Sequence, residues 1–523
     1  MNKVLEQNIT VSGQLSQDDV RTLAAQGVKA IVNNRPDFEE PGQPTNAQLE
    51  AVAHGLGVQW VFLPLVAGQK PDLTLAKAYR DAMRAQQGPV HVFCRTGRRS
   101  EMIHQAASGL MQESSQGRAF DVLVVGAGTA GISVITSLLN RDSSLRIAVI
   151  DPAKTHDYQA AWTLVGGGEY DSAATRKPME AVIPKGVVWI NQPVDTFQPE
   201  QNRVTLADGT EVAYQQLVVC PGLKLNWAAI EGLTDTLGSN GVTSNYRYDL
   251  APYTWELVQK TRRGRAIFTQ PAMPIKCAGA PQKAMYLSCS EWEQRGVLKD
   301  VEVEMYNAGA VVFGVPTFVP PLMEYIKRYG AQVNFAHNLV KIDGPGKVAT
   351  FEVVGTDGSK TLVEREFDMI HVVPPQVAPD FVAQSPLANA AGWVDVNQHS
   401  MQHVRYPNVF ALGDAGSMPN AKTTAAIRKQ APIVAANVLR VRQGQPVMNA
   451  YDGYGACPLT VEKGKVVLAE FAYGGALAPT FPLNPAVPRR FNWVLKKYVF
   501  PALYWFGALK GREWLTACGK VKV

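Results

Sequence analysis

The sequence predicts an α/β fold in three parts, and three observations predict it. Short β-branched runs alternate with helical stretches up to the loop Cys94–Ser100, a strand–glycine turn–helix–strand unit occupies Phe120–Asp151, and a basic, aromatic segment runs from Ala486 onward. The parts read as residues 1–112, 119–485 and 486–523: an α/β domain, a body with two dinucleotide-binding-type halves, and an amphipathic helical tail. With 523 residues the chain is too long for a single hydrophobic core.

In the first part a helix over Gln17–Gln26 precedes a strand at Ala30–Asn33, and a second strand spans Val58–Leu63. A helix over Leu73–Gln86 then leads into the strand Val90–Phe93. That strand delivers Cys94-Arg95-Thr96-Gly97-Arg98-Arg99-Ser100. A cysteine at a strand end, inside a loop of backbone N–H groups closed by arginine, makes an anion cradle around a thiolate. Cysteine-type phosphate-ester hydrolases place five residues between cysteine and arginine. Here Arg99 follows after four, and a loop this short resembles the rhodanese type, which transfers sulfane sulfur. Cys94 and Arg99 are therefore candidate catalytic residues, and Asp37, after Pro36, is either a general acid or a turn residue. The stretch Gly109–Arg118 (GLMQESSQGR) has the composition of a linker.

The unit beginning at Phe120 carries the most specific local pattern. Phe120–Val125 is a β-branched run, and Gly126-Ala127-Gly128-Thr129-Ala130-Gly131 follows at once. Gly126 makes the turn off the strand, Gly128 lets the backbone approach a pyrophosphate, and Gly131 lets the helix pack on the sheet. The helix start offers free N–H groups to the phosphates. Asp151, at the end of the next strand, is placed to accept ribose hydroxyls. Much later, Asn408–Leu412 forms a strand ending in Gly413-Asp414, which resembles the second FAD signature of two-dinucleotide-domain flavoproteins. Two such signatures about 290 residues apart, in this order, predict FAD. Between them, Val301–Asn307 is followed by Ala308-Gly309-Ala310-Val311-Val312-Phe313-Gly314, which does not reproduce the turn a nicotinamide dinucleotide requires. The expected electron donor is not NAD(P)H.

Composition narrows the class. An apolar share of 46% with 18% charged residues is that of a folded chain, not a disordered one. Six scattered cysteines, Cys94, Cys220, Cys277, Cys289, Cys457 and Cys518, show no CxxC pair and predict a reducing compartment with a few chemically employed thiols. The N-terminus MNKVLEQNITVSGQL lacks an apolar core, so no secretory signal is expected. No window reaches the roughly 18 apolar residues of a membrane span.

Several further segments resemble mitochondrial-type sulfide:quinone oxidoreductases over about Phe120–Leu515. They are Tyr158-Gln159-Ala160-Ala161-Trp162-Thr163-Leu164-Val165-Gly166, Pro274-Ile275-Lys276-Cys277-Ala278-Gly279-Ala280-Pro281-Gln282-Lys283, Ala391-Gly392-Trp393-Val394-Asp395-Val396, and Tyr451-Asp452-Gly453-Tyr454 with Cys457-Pro458. The resemblance implies FAD, with Gln159 and Trp162 beside Gly126, Gly128, Gly131, Asp151, Gly413 and Asp414 in its site. It implies that Cys277 reacts with sulfide, or a related small thiol, and that a membrane quinone takes the electrons. Lys276 and a helix expected to start near Gln282 would favour thiolate at Cys277. Lys422, in a segment like the family's stretch near flavin and quinone, would stabilise developing negative charge. The family's second redox cysteine is expected just after Gly-Asp, where this chain has Ala415. Cys289 lies too far along its helix, Cys220 reads as a core residue, and Cys457 and Cys518 have no supporting neighbours. In place of a two-cysteine relay, either Cys277 works alone with an external thiol or sulfane acceptor, or the substrate has drifted from sulfide. Val11-Ser12-Gly13-Gln14-Leu15 and Asn33-Asn34-Arg35-Pro36-Asp37 resemble a tyrosine-phosphatase-like domain also found fused to sulfur-metabolising enzymes.

From Arg489 the tail sets Arg489, Arg490, Lys496, Lys497, Lys510, Arg512, Lys520 and Lys522 against Glu513 alone, around Trp493, Tyr498, Phe500, Tyr504, Trp505, Phe506 and Trp514. This pattern suits the headgroup boundary of an anionic bilayer. The other reading is a helix packed on the core or in a homodimer. Nucleic acid is not an expected partner, because the aromatics form one apolar block. The expected place is cytoplasmic, attached peripherally to the inner membrane. The expected activity is FAD-dependent oxidation of sulfide with quinone as acceptor, coupled to sulfane-sulfur transfer at Cys94. The alternatives are an NADH-driven quinone reductase, a flavin redox sensor, and phosphatase chemistry at Cys94.

Overall fold

The run Val90–Phe93 has every residue buried, as a central strand of a parallel sheet requires. It lies inside a five-stranded sheet ordered Lys3–Glu6, Ile9–Ser12, Val90–Phe93, Ala30–Asn33, Gln59–Phe62, parallel except for the first pair. The computed structural model describes residues 3–6, 8–86, 88–115 and 119–516. Cys518, Lys520 and Lys522 lie outside the described residues. The chain forms two compact units, Met1–Arg118 and Ala119–Val523.

In the first unit two helices start on capping boxes. Ser16 and Asp19 open Gln17–Ala25, and Thr45 and Gln48 open Asn46–Gly55, each pair satisfying two otherwise orphaned N–H groups. The strands Lys3–Glu6 and Ile9–Ser12 and the helix Asn46–Gly55 were not among the expected elements. Helix Arg98–Ser115 leaves the cysteine loop and runs through most of the segment expected as linker. A nucleated helix propagates cheaply, and Leu110, Met111, Gln112 and Glu113 are good helix formers, so Gly109 does not stop it.

In the second unit a seven-stranded sheet brings the two glycine motifs together. Glu211–Val219 is its pivot: Phe120–Val125 pairs with it in parallel on one side and Val409–Ala411 in parallel on the other. Both motif strands therefore end at the same edge, where open α/β sheets bind ligands. Their core is Val122, Val124, Leu217, Val218, Val409 and Phe410, all fully buried. Gly413–Ala415 is a single 3-10 turn, and the helix that follows Lys422 spans Thr424–Arg442. A second parallel sheet is ordered Val242–Thr243, Met369–His371, Gly264–Gln270, Val301–Asn307, Gln332–Phe335. After Val301–Asn307 the chain makes a loop in which the Asn307 side chain accepts from Gly309 N–H (2.8 Å) and donates to the Val311 carbonyl (3.0 Å).

The tail is not a third body. Tyr504, Trp505 and Leu509 belong to the main core of the second unit. Its helix is irregular: α-helical at Arg490–Val494 and Phe500–Ala502, π-helical at Leu495–Val499 and Leu503–Gly507, and 3-10 at Ala508–Lys510.

Candidate active site

Gly131 shows why the first motif needs glycine. A β-carbon there would stand 1.8 Å from the Gly126 carbonyl oxygen, so any side chain would push the helix off the turn. Helix Thr129–Arg141 begins at Gly128 with no side-chain cap, leaving its first N–H groups free for an anion. Asp151 accepts from Ala127 N–H at 2.6 Å and from Ala153 N–H at 2.8 Å, fixed at the turn. From the second motif, Gly413 reaches the same helix: a β-carbon on it would lie 3.1 Å from that of Ala130.

Between these elements lies a cavity of about 660 Å³ whose walls include Gly128, Asp151, Gln159, Trp162, Asp414 and Lys422. Its size is that of a cofactor site. Ser133 Oγ, Thr163 Oγ1 and both side-chain polar atoms of Asn245 are buried at its wall without a hydrogen-bond partner among the described residues. Unpaired buried polar atoms are costly, so this lining fits a polar dinucleotide. The residues suited to hold FAD are the N–H groups at Gly128–Thr129 for the pyrophosphate and Asp151 for a ribose. Asp414 and Lys422 also line the cavity. Lys422 donates to the Asp414 carbonyl at 2.6 Å and lies 4.1 Å from the centre of the Trp393 ring. Burial lowers its pKa to about 8, against the pull of Asp414. Burial likewise raises the Asp414 carboxyl, opposed by Lys422 and Lys276.

Cys277 also lines this cavity. Its backbone is left-handed (φ 50°), a conformation costing a non-glycine residue roughly 1–3 kcal/mol. It is pinned on both sides: its N–H donates to the Lys422 carbonyl at 2.9 Å and its carbonyl accepts from Ala280 N–H at 2.7 Å. The helix after it, Ala280–Gln294, starts two residues before the expected point. Lys283, in the first turn of that helix, donates to the Cys277 sulfur at 3.0 Å. The cation at the thiol is thus Lys283. The expected one, Lys276, turns to Gln159 Oε1 instead.

The expectation that Cys457 has no supporting neighbours is wrong. Its thiol lies near enough to that of Cys277 for each to shift the ionisation of the other. Cys457 sits on the strand Gly455–Glu462, against which Ala280–Gln294 packs. Gly279 permits the approach, since a β-carbon there would meet Leu459 Cδ2 at 2.2 Å. Cys457 is the largest influence holding Cys277 well below the ordinary thiol range. Burial opposes it, and Lys283 and Lys496 assist. Cys457 is pushed up correspondingly, so of the two thiols Cys277 is the one that ionises more readily. Lys496 comes from the tail: it is buried, and its Nζ donates to the Pro458 carbonyl at 3.0 Å and to Thr460 Oγ1 at 2.6 Å. Cys457, Lys283 and Lys496 were missed by the sequence reading. The available signal for Cys457 was its place inside a family-like segment. Cys220 also reaches the cavity wall, whereas Cys289 is buried elsewhere on its helix, and burial pushes both thiols up.

In the first unit Cys94 is buried and accepts from Gly97 N–H at 3.2 Å. Burial alone would raise its pKa. The N–H groups of Ser100, Thr96 and Arg99, with the Ser100 hydroxyl, outweigh burial and lower it. Asp37 accepts from Asn46 N–H at 2.6 Å, at the start of helix Asn46–Gly55, which ties down a turn.

Similarity to known proteins agrees with both halves of this geometry. Residues 2–110 match the phosphatase-like domain of beta-lactamase hydrolase-like proteins, and residues 120–254 match the pyridine nucleotide-disulphide oxidoreductases. A beta-lactamase hydrolase-like protein of Agrobacterium fabrum is 37% identical over 115 residues, 21% of this chain and 26% of that protein. The mitochondrial sulfide:quinone oxidoreductase of Dictyostelium discoideum is 42% identical over 394 residues, 75% of this chain and 86% of that protein. Its mouse counterpart is 35% identical, over 75% and 87%. The crystal structure of the Aquifex aeolicus sulfide:quinone oxidoreductase shares the fold, with a TM-score of 0.62 at 19% identity, covering 76% of this chain and 92% of that one. An alignment of such identity over most of a relative's length decides kinship, and by it the chain belongs to the sulfide:quinone oxidoreductase family, preceded here by a phosphatase-like domain.

Proposed function

We propose that the chain oxidises sulfide, or a closely related thiol or persulfide, and delivers the electrons to a membrane quinone. The observation that carries this reading is Cys277 at the dinucleotide cavity, with Lys283 Nζ 3.0 Å from its sulfur and its thiol held well below the ordinary range by Cys457 and Lys283. In its oxidised form the pair is a disulfide within reach of hydrosulfide. Attack by HS⁻ breaks the bond between the two sulfurs, leaving a persulfide on one cysteine and a thiolate on the other. Lys283 and Lys496 lower the cost of placing that negative charge in a buried site. Bound FAD supplies the two-electron acceptor that links sulfur to quinone. Lys422 and Asp414 would hold the cofactor's polar part, with Lys422 as the cation beside developing charge.

Two further observations support parts of this reading. The tail turns Phe491, Val494, Tyr498, Ala502 and Phe506 to solvent, with Tyr498 62% and Phe506 61% exposed. Leu495, Val499, Phe500 and Leu503 of the same tail line the cavity. No described helix is long and apolar enough to cross a membrane. The tail is therefore read as lying in the bilayer interface, where it would admit quinone. At Cys94, the low thiol pKa and the short loop favour acceptance and onward transfer of the sulfane sulfur made at Cys277.

Anaerobic stopped-flow of the flavin spectrum tests the main claim. Sulfide should bleach the flavin rapidly in the full chain, added quinone should restore it, and Cys277→Ala should abolish the bleaching. A flavin indifferent to sulfide but bleached quickly by NADH would overturn it.

A further inference from the structure

Around the Cys94 loop the positive charge is neutralised before any ligand arrives. Arg99 directs Nη1 and Nη2 at the two carboxylate oxygens of Glu39, at 2.6 and 2.7 Å, and Nη1 also donates to the Leu65 carbonyl at 2.6 Å. Arg35, only 2% exposed, donates Nε to Glu39 at 2.9 Å, Nη2 to Glu40 at 2.8 Å and Nη1 to Gln14 Oε1 at 2.7 Å. Arg95 closes the ring on Glu40 at 2.6 Å. Three guanidiniums thus face two carboxylates and the Cys94 thiolate, and the charges cancel. His91 adds nothing: it is bonded to Thr10 and Ser12, and burial lowers its pKa to about 4. Arg98 is exposed at the helix start.

A loop that takes a phosphoryl dianion beside a thiolate needs surplus positive charge and a free arginine fork. That surplus is absent here, because Glu39 pairs with both terminal nitrogens of Arg99, and Glu39 and the Leu65 carbonyl together take three of the five guanidinium N–H donors. A persulfide asks for much less. It carries one charge, and the sulfur it gives up is neutral, so a charge-balanced cradle does not oppose it.

We propose that Glu39 is the residue that sets the ligand class of the Cys94 site, neutralising the Arg99 guanidinium against tetrahedral dianions and leaving the loop selective for singly charged persulfides. This rests on the reading of Cys94 as a sulfur acceptor. In the transfer step the Cys94 thiolate attacks the terminal sulfur of a donor R–S–S⁻. The donor's S–S bond breaks, R–S⁻ leaves with the electron pair, and Cys94–S–S⁻ forms with no net oxidation. Cyanide as acceptor then takes the terminal sulfur as thiocyanate and regenerates the thiolate.

The test uses the full FAD-loaded chain carrying Cys277→Ala, so that only the first unit transfers sulfur. Hydroxyethyl persulfide is the donor, cyanide the acceptor and tungstate the inhibitor. Thiocyanate formation should resist tungstate when Glu39 is present. In Glu39→Gln, unmasking the Arg99 charge should tighten tungstate inhibition about tenfold or more. Glu39→Asp, too short to span both nitrogens, should move the same way, and Glu40→Gln should move it less. Unchanged tungstate inhibition in folded Glu39→Gln or Glu39→Asp overturns the proposal. So does micromolar inhibition of the chain with Glu39 intact, which needs no variant to fold. If Cys94→Ser leaves thiocyanate formation unaffected, the sulfur-transfer reading itself fails. Tungstate binding to the Glu39 variants by calorimetry then still decides what Glu39 does.

Discussion

The Cys277 thiol is held well below its ordinary range because groups from separate stretches of chain converge on it: the Cys457 thiol from a strand, Lys283 from the next helix and Lys496 from the tail. Its pKa is held down, so the reactive ion persists as pH falls, until the folded-state value is reached. Replacing Lys283 with Met removes the cation at 3.0 Å and lets that value rise. The acid limb of sulfide-dependent flavin reduction should move to higher pH, and the rate at neutral pH should fall about tenfold or more, as for loss of one close opposite charge. Lys283→Arg should restore most of it. An unmoved pH profile in Lys283→Met would show that the thiolate does not depend on this lysine. Sequence reading reached Cys277 because its neighbours match a family segment. It looked for the partner at Ala415 and so missed Cys457, since no local pattern in a linear chain reports which strand a helix start packs against. Lys276 was preferred to Lys283 for a similar reason. Adjacency in sequence is visible, but a left-handed turn at Cys277 redirects side chains in a way that composition does not encode.

The glycine motifs were legible as elements because their chemistry is local. Strand, turn and helix start occupy consecutive residues, and the steric demand at Gly131 follows from the motif alone. The tail was legible in kind but not in orientation. Its aromatic and basic content was plain, yet Lys496 turns inward to Thr460, Lys497 pairs with Glu169, and Glu513 binds Arg141. Arg490, Lys510 and Arg512 remain exposed beside the outward face of Phe491, Val494, Tyr498, Ala502 and Phe506. Tyr504 meanwhile bonds His156 at 2.6 Å and Thr129 at 2.9 Å, anchoring the helix to the dinucleotide turn. Burying one such aromatic in lipid contributes roughly 1.5–3 kcal/mol. Tyr498→Asp with Phe506→Asp should therefore cut binding to anionic vesicles by on the order of 10²-fold or more. Reduction of a water-soluble quinone should be spared, while use of a vesicle-embedded quinone is lost. Unchanged sedimentation with vesicles would remove the tail as the docking element.

At the scale of the molecule the chain is two folding bodies in sequence, and this sets how it should melt. Residues Val11, Val32, Val90 and Val92 lie in one hydrophobic cluster of the first unit, and Leu15, Val20, Ile31 and Phe93 in another. The second unit has its own larger core around Val122, Leu217 and Phe410. Each core can be lost cooperatively by itself, so calorimetry of the whole chain should resolve two transitions rather than one. The dinucleotide cavity is built wholly from the second unit. A ligand that binds only the folded form stabilises it by RT ln(1 + [L]/Kd), about 2.7 kcal/mol at a hundredfold excess over Kd. Adding FAD to stripped protein should therefore raise the larger transition by several degrees and leave the smaller one where it was. Gly131→Ala, whose new β-carbon collides with the Gly126 carbonyl, should erase the FAD-dependent rise without touching the smaller transition. The Cys94 loop would keep its fold in that variant, and persulfide-to-cyanide transfer at Cys94 should survive loss of the flavin. A single transition that moves as one with FAD would mean that the units share their stability and that the sulfur loop depends on the cofactor.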